Sequence, residues 1–280
     1  MIDSLKNIKP IKILGKGSEG TVILTNNKKY TVKIYEKEID QLQTYVKIID
    51  YLHKDMKIPR TIYKSYFLTY YKNSLNRYVK NNLPNHFSYI DNDNLKTLSK
   101  KYNMQNKLFE IMKTYNITLK QFLKNINNDI LDSLYKQGIL TLLWLYINKG
   151  IVHNDIIIDN FFILKTSSKK FKINIYNDSY EVKLYGYYLI IADFGYAVTM
   201  EINQYINNIN YKLNPLHDIK RFINIFNNKI NLDINDEILE QSYHIMINSY
   251  LQNNLDLNKN IKNYKKILYK YIKNNIIKLF

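Results

Sequence analysis

Two polar side chains near the middle of the chain, Asp155 and Asn160, are five residues apart. They belong to the segment from His153 to Asn160, which follows an apolar run from Ile139 to Ile151 and leads into another at Phe161 to Leu164. A polar loop between two apolar segments places its carboxylate and its amide at the edge of a core. Such a pair can orient a hydroxyl nucleophile and bind one divalent metal ion.

A second carboxylate lies downstream, in Asp193-Phe194-Gly195, at the end of a strand predicted from Tyr188 to Ala192. An aspartate at a strand end suits a metal-binding role. We expect Phe194 to anchor it in the core, and Gly195 permits a sharp turn. His153 could act as a base in the first segment, but its place there favours a structural role that shapes the loop.

A glycine-rich segment near the N-terminus, from Gly15 to Val22, has the pattern Gly-x-Gly-x-x-Gly-x-Val. Glycines let the backbone approach phosphate oxygens closely. The residues before it, Ile11 to Leu14, predict a strand, and Val22 to Leu24 predict a second strand directly after it. A dinucleotide-binding fold needs a helix at this point, so we expect a hairpin that covers a nucleotide instead.

Lys33 lies within the third predicted strand. A lysine beneath a glycine-rich hairpin can reach the α- and β-phosphates of a nucleotide. The apolar spacing from Lys37 to about His53 predicts a helix, which should carry an acidic partner for Lys33. Glu38 and Glu36 are the candidates, and Tyr45 occupies about the place where we expect a glutamate.

The rest of the pattern predicts strands first and helices later. We expect strands at Tyr30 to Tyr35, Ile62 to Tyr71, Leu108 to Met112 and Phe161 to Leu164, a hairpin from Lys169 to Leu184, and helices from Leu119, from Leu131 to Ile147 and from Asp218 to Phe226. Residues 72–106 are polar and irregular and predict an insertion of short helices and loop. A linker from Lys113 to Asn116 could join two lobes, which leaves Glu110 to Met112 available to the edge of an adenine.

Three motifs stand in this order along the chain: the glycine-rich segment from Gly15 to Val22, the segment from His153 to Asn160, and Asp193-Phe194-Gly195. Together they resemble the motifs of the eukaryotic protein kinase superfamily, over about Ile8 to Asp218. The resemblance implies a single α+β domain with a two-lobed kinase-like fold that holds ATP between the lobes. A small β-rich N-lobe would span about residues 1–112, with the 72–106 insertion, and an abbreviated helical C-lobe about residues 113–280. A weaker likeness is to kinase-like proteins of large cytoplasmic DNA viruses.

The resemblance also implies a serine/threonine protein kinase, which transfers the γ-phosphate of ATP to a protein hydroxyl. Lys33 would hold the α- and β-phosphates, and Asp155 would orient the substrate hydroxyl and accept its proton. Asn160 and Asp193 would bind Mg²⁺. The residues expected to bind ATP are Gly15, Lys16, Gly17, Ser18, Gly20, Val22, Lys33, Glu110 and Met112.

The chain departs from the family pattern at several positions. Asn154 replaces the arginine that pairs with a phosphorylated activation loop, so we do not expect activation of that kind. Ile157 replaces the lysine that is usual in Ser/Thr kinases. Asp218 lies only 25 positions after Asp193, without Ala-Pro-Glu between them, so the peptide-docking platform is shortened or absent. Asp218 resembles the buried aspartate that braces the catalytic loop, although a simple helix cap behind Pro215 is the alternative.

These departures leave two other classes open. Small-molecule kinases of the choline and aminoglycoside type share the two-lobed fold, and His153-Asn154-Asp155 resembles the choline kinase version of the loop. A nucleotide-binding pseudokinase is the second alternative. The intact set of Lys33 and Asp155 with their metal-binding partners favours an enzyme.

Composition limits the partners and the compartment. The chain of 280 residues has a formal net charge of +17, and nearly all of its positive charge is lysine, because only Arg60, Arg77 and Arg221 are arginines. A codon bias can supply such lysines, so we expect a solvated surface and no specific nucleic-acid partner. The absence of cysteine excludes disulfides and fits a reducing compartment. Without a visible signal peptide or membrane-spanning run, we expect a soluble cytoplasmic protein, in the host cytoplasm or a virion if it is viral.

The tail from Asn258 to Phe280 places apolar residues at helical spacing with lysines between them. A basic amphipathic helix can lie on a membrane surface. A terminal helix packed on the C-lobe is the more common arrangement, and we expect it here.

Overall fold

The computed structural model describes residues 10–16, 20–38, 42–53, 58–69, 88–89, 107–199, 214–226, 237–251, 256–275 and 277. The chain divides into two compact units, one formed by Met1–Ile58 with Ile62–Asn116 and the other by Pro59–Thr61 with Ile117–Phe280. An antiparallel sheet dominates the first and helices follow in the second, so the predicted α+β class is confirmed. The main division falls after Asn116, four residues later than the lobe boundary that we predicted at about residue 112.

The first unit is built on a six-stranded sheet in the order β1-β2-β3-β6-β4-β5. Its strands are β1 (Pro10–Lys16), β2 (Gly20–Thr25), β3 (Tyr30–Glu38), β4 (Ser65–Thr69), β5 (Ser88–Tyr89) and β6 (Lys107–Lys113). All neighbours pair antiparallel except β4 and β5, which are parallel. The predicted strands around residues 11–14, 22–24, 30–35 and 108–112 are therefore confirmed. Apart from Ser88–Tyr89, the predicted insertion at 72–106 lies outside the described residues.

In the described part of the first unit one helix is present, α1, which runs from Gln43 to His53. The prediction that it begins at Lys37 was wrong, because β3 continues to Glu38. Strand pairing with β6 extends to Glu38 opposite Lys107, across a register shift. As far as Glu38, the ladder hydrogen bonds to β6 outweigh the helical spacing that begins at residue 37.

Helices supply most of the second unit. After the short strand β7 (Ile117–Thr118) come α2 (Leu119–Phe122) and a turn of 3-10 helix at Leu123–Asn125. The long helices are α3 (Asn128–Lys149), α4 (Pro215–Ile225), α5 (Glu237–Leu251) and α6 (Leu257–Asn275). The predictions of helices starting at Leu119 and covering residues 131–147 are confirmed. Helix α3 is buried on most sides, as its nearly continuous apolar sequence requires.

Short strands lie between α3 and α4. They are β8 (Ile151–Val152), β9 (Phe161–Lys165), β10 (Lys170–Ile175), β11 (Asp178–Lys183), β12 (Tyr187–Ile191) and β13 (Val198–Thr199). Strands β10 and β11 form the predicted hairpin, with Lys170 opposite Lys183. Strand β12 pairs with β9, and β13 pairs with β8. These two pairings hold the ends of the loops that carry the candidate catalytic residues.

The terminal helix α6 has its apolar face buried. Tyr264, Leu268 and Ile272 are inaccessible to solvent, and α6 packs mainly against α5. The predicted packing of this helix on the rest of the protein is therefore confirmed for its described part. Within the described residues, no helix combines the length and the apolar character needed to cross a bilayer.

Candidate functional site

The loop that carries Asp155 begins at the end of α3. Gly150 caps this helix in the left-handed conformation, with φ of 62°, and its N–H donates to the carbonyls of Leu145 and Tyr146. Glycine suits this position because the left-handed region costs it no steric strain. The cap turns the chain directly into β8, where Val152 pairs with Val198. The loop therefore leaves the core at a fixed point and in a fixed direction.

Asp218 holds the start of this loop. Its two carboxylate oxygens accept the backbone N–H groups of His153, at 2.6 Å, and of Asn154, at 3.0 Å. Burial raises the pKa of Asp218 to about 7, and the two backbone hydrogen bonds act in the opposite direction. The helix cap is Asn214, whose side chain accepts the N–H of Leu216. Asp218 therefore braces the loop and does not cap α4.

A close helix contact places Asp218 beneath the loop. One turn after it, Phe222 packs on Gly138 of α3, where an added Cβ would lie 1.9 Å from the Phe222 ring. Only glycine lets α3 and α4 approach this closely without displacing that ring. The position of the brace thus depends on a residue with no polar chemistry.

Asn154 has a left-handed backbone, with φ of 64°. Asparagine tolerates this conformation better than most residues with a side chain. Its amide donates to the carbonyl of Tyr196 at 3.3 Å, and its own carbonyl accepts from Arg221 at 3.1 Å. The residue that replaces the expected arginine therefore ties the loop to the segment after Asp193 by a hydrogen bond between neutral groups.

Asn160 fixes the carboxylate of Asp155. Its Nδ2 donates to Asp155 Oδ2 at 2.7 Å and to the Asp155 carbonyl at 2.9 Å. These two bonds use the amide nitrogen and leave the Asn160 Oδ1 as an acceptor. The turn of 3-10 helix at Ile158–Asn160 brings the two residues together. The structure thus confirms that they face one small volume.

The backbone next to Asp193 lies against Asn160. The N–H of Ala192 donates to the Asn160 carbonyl at 3.0 Å, and Ile191 pairs with Phe161 at the adjoining end of the β9–β12 ladder. Asp193 itself has a left-handed φ of 63°. After it, Phe194 is buried, as expected for the residue that anchors the turn.

His153 links the two loops from inside the core. Its Nε2 lies 3.0 Å from the Ala192 carbonyl, its Nδ1 accepts the N–H of Asp155, and its ring lies 4.6 Å from that of Phe194. This pattern requires the neutral tautomer with hydrogen on Nε2. Burial lowers the pKa of His153 and favours the same neutral form. These contacts support the predicted structural role.

The donor set suits a hard cation with few protein ligands. A carboxylate at Asp193 and an amide oxygen at Asn160 are oxygen ligands of the kind that Mg²⁺ takes, with water and phosphate oxygens completing its shell. Across the described ranges, no cluster of three or more His, Asp or Glu side chains could hold a metal ion. The residues present therefore fit Mg²⁺ held together with a phosphate, and the metal assignment stays a prediction.

The glycine-rich segment joins β1 to β2 in the first unit. Gly17 and Ser18 lie outside the described residues, and Gly15 and Lys16 end β1. At Gly20 an added Cβ would lie 2.2 Å from the Ile34 carbonyl, so the approach of β2 to β3 requires glycine. Val22 pairs directly with Lys33 across these strands. Hence the described part of the hairpin has the predicted strand–glycine–strand form.

Lys33 is buried on β3, with 7% of its surface exposed. Its Nζ lies 4.7 Å from the centroid of the Tyr35 ring. Glu36 is exposed on the same strand, and Glu38 is its last residue, so neither is on the helix that we expected to carry an acidic partner. The side chain of Glu38 lies outside the described residues.

Glu110 is fully buried on β6. Its Oε2 accepts from Tyr35 at 2.6 Å and from Tyr45 at 2.9 Å, while its Oε1 accepts from Tyr63 at 2.8 Å and from Ser65. We call these five residues the carboxylate cage. Sequence reasoning missed it, and the only available signal was the placement of Tyr45 where we expected a glutamate.

The backbones of Glu110 and Met112 lie in the middle of the sheet. Glu110 is paired with Lys33 on one side and Phe67 on the other, and Met112 is likewise flanked by β3 and β4. The cage occupies the Glu110 carboxylate. This geometry adds no support for the expected adenine contact of either residue, which stays a prediction.

The chain matches no model of a known protein family, and no curated protein is similar to it.

Proposed function

We propose that the protein is an ATP-dependent phosphotransferase that transfers the γ-phosphate to a hydroxyl group, with a serine or threonine of a protein as the acceptor. The observation that carries the proposal is the paired geometry of Asp155 and Asn160. A carboxylate held by an amide, on a loop braced by Asp218, can orient a hydroxyl and accept its proton. The resemblance of the three sequence motifs to protein kinases supports the same reaction.

Each group of the second unit has a defined task in this proposal. Asp155 accepts a hydrogen bond from the acceptor hydroxyl and takes its proton as the oxygen attacks. The Asn160 amide keeps the Asp155 carboxylate in one orientation. Asn160 Oδ1 and the Asp193 carboxylate would hold Mg²⁺. The bound metal would neutralise phosphate charge during transfer.

The residues of the first unit bind the nucleotide in this proposal. Lys33 holds the α- and β-phosphates with its ammonium group, and the hairpin between β1 and β2 covers them with backbone N–H groups. Positioning and electrostatic stabilisation supply most of the catalysis in reactions of this type. A buried ammonium such as that of Lys33 is worth more in this role than an exposed one, because less water screens it.

The first test compares two carboxylates of the same loop. Asp155→Ala should lower phosphate transfer from labelled ATP to mixed protein acceptors by about 10²–10⁴-fold, because it removes the group that takes the proton. Asp159→Ala is the matched control, since Asp159 is exposed and lies 3.7 Å from Lys120 at the surface. Equal activity of wild type and Asp155→Ala would reject the enzyme proposal.

A small-molecule acceptor is the second candidate. Ile157, two residues after Asp155, is 46% exposed and presents an apolar surface where Ser/Thr kinases of the resembled family carry a lysine. Choline-like and aminoglycoside acceptors in the same assay distinguish the two classes. Preferential phosphorylation of either small molecule would replace the protein acceptor. Binding of Mg-ATP without transfer to any acceptor would identify a pseudokinase.

A further inference from the structure

Lys33 lies against an aromatic ring that is itself bound to a buried anion. Lys33 and Tyr35 are two residues apart on β3, so their side chains project from the same face of the sheet. The Lys33 Nζ lies 4.7 Å from the centre of the Tyr35 ring, within the range of a cation–π interaction. In a site from which water is largely removed, the negative face of the ring stabilises and locates the ammonium group.

The hydroxyl of the same ring donates to Glu110 Oε2 at 2.6 Å. A hydrogen bond to an anionic acceptor is short and strong, and it polarises the donor group. The negative charge of Glu110 therefore increases the electron density of the Tyr35 ring that faces Lys33. Glu110 is also directly opposite Lys33 in the β3–β6 register, so all three side chains are on one face.

Glu110 is held in place by the other members of the carboxylate cage. Tyr63 and Ser65 donate to Oε1, and Tyr45 of α1 donates to Oε2. The hydroxyls of Tyr45 and Tyr63 also lie 2.8 Å apart. The helix that we expected to reach Lys33 through a glutamate is thus tied to Glu110 by a tyrosine hydroxyl.

We infer that Tyr35, backed by the Glu110 carboxylate, is a positioning residue for Lys33, in the role that we expected an acidic residue of α1 to fill. This inference rests on the proposed function only for its consequence, which is the binding of ATP phosphates by Lys33. The position of α1 is thus coupled to that of the Lys33 ammonium group through Tyr45, Glu110 and Tyr35. The coupling therefore runs through hydroxyl groups and one carboxylate.

The direct test is the proton NMR spectrum of lysines labelled with ¹³C, with the Lys33 signal assigned by its loss in Lys33→Arg. A proton held over an aromatic face is shifted upfield by the ring current, so we expect an upfield Lys33 Hε signal in wild type. Tyr35→Phe should retain part of this shift, because the ring remains without its anchor. Tyr35→Leu should abolish it, and Glu110→Gln should reduce it.

Tyr63→Phe is the matched control. It removes one hydroxyl from the same carboxylate without changing the ring that faces Lys33, so it should change the Lys33 shift by less than Tyr35→Phe does. Unchanged shifts in both Tyr35→Leu and Glu110→Gln would overturn the inference. Equal changes in Tyr63→Phe and Tyr35→Phe would also overturn it, because they would indicate a general loosening of the cage. If Glu110→Gln does not fold, the three Tyr35 and Tyr63 variants decide alone.

Kinetics then connect the position to function. Tyr35→Phe and Glu110→Gln should each lower kcat/KM for ATP by about tenfold, whereas Tyr63→Phe should change it by less than about twofold. The NMR shift does not require turnover, so the two proposals can fail separately. A wild-type ring-current shift in a protein that transfers no phosphate would reject the proposed function and keep the positioning role. Normal phosphate transfer without the ring-current shift would reject the positioning role of Tyr35 and keep the proposed function.

Discussion

Two buried carboxylates, Asp218 in the second unit and Glu110 in the first, each hold a segment that carries a candidate functional residue. Asp218 accepts two backbone N–H groups from the loop that carries Asp155. Within the described residues, Glu110 accepts from side-chain hydroxyls alone, those of three tyrosines and one serine. A backbone N–H is present whatever the side chain, so the Asp218 brace tolerates changes such as Asn154 in the loop. The Glu110 cage requires particular side chains at four separate positions, and we expect the two sites to respond differently to mutation.

The largest expected effect is the loss of the acceptor in the cage. Glu110→Ala leaves four buried hydroxyl groups without their carboxylate, although Tyr45 and Tyr63 can still bond to each other. We expect a loss of about 4 kcal/mol in the free energy of unfolding, because each unsatisfied buried group costs about 1–3 kcal/mol. Urea unfolding followed by circular dichroism measures it. Tyr63→Phe removes one of the hydrogen bonds to Glu110. If Glu110→Ala lowers the free energy of unfolding no more than Tyr63→Phe does, the cage does not act as a unit.

Asp218→Asn should have a smaller effect on stability. The amide retains one acceptor oxygen, so one of the two backbone N–H bonds survives, and the expected loss is about 1–3 kcal/mol. Asp218→Asn should also lower phosphate transfer, as Asp155→Ala does, because the loop that carries Asp155 loses its brace. An Asp218→Asn protein with wild-type activity would show that the loop does not depend on this carboxylate. The His217→Gln variant is a neighbouring control, because the His217 side chain is exposed.

The smallest expected effect is on the pH dependence of stability. Burial raises the pKa of Asp218 to about 7, above its ordinary value, so the folded state binds this proton more tightly than the unfolded state does. The contribution of Asp218 to the free energy of unfolding therefore increases as the pH falls from about 7 towards 4. Burial lowers the pKa of His153, so its contribution is present above pH 6.5 and declines as the pH falls below that value. The two groups oppose each other.

Asp218→Asn removes one side of this opposition. Between about pH 7.5 and about pH 5.5 the variant should lose more stability on acidification than wild type does, because the His153 contribution remains without compensation. Unfolding curves at several pH values within this window measure the difference. Parallel pH profiles of wild type and Asp218→Asn would contradict the raised pKa of Asp218.

Much of the secondary structure follows from local patterns. The alternation around Lys33 predicted β3, and the long apolar run ending near Ile147 predicted α3. The predicted start of α1 was wrong because the helical spacing extends back to residue 37, whereas Lys37 and Glu38 belong to β3. Pairing with β6, which is distant in sequence, decides between helix and strand as far as Glu38. Tertiary pairing of this kind is not visible in local spacing.

The geometry of the loop that carries Asp155 was predictable in the same way. Asp155 and Asn160 are close in sequence, and a tight turn brings them together through local hydrogen bonds. The left-handed conformations of Asn154 and Asp193 were not predicted, because they depend on the β8–β13 and β9–β12 pairings that fix the loop ends.

By itself, the sequence determined the order of the elements, the motifs that resemble those of protein kinases and the departures from them at Asn154 and Ile157, because all of these depend on residue type and short spacing. Only the tertiary structure decided which groups surround Glu110 and what braces the loop that carries Asp155. The donors to Glu110 come from positions 35, 45, 63 and 65, and Asp218 reaches the loop 64 residues before it. Burial makes such carboxylates collect every available donor, and which donors are available is a property of the packed fold.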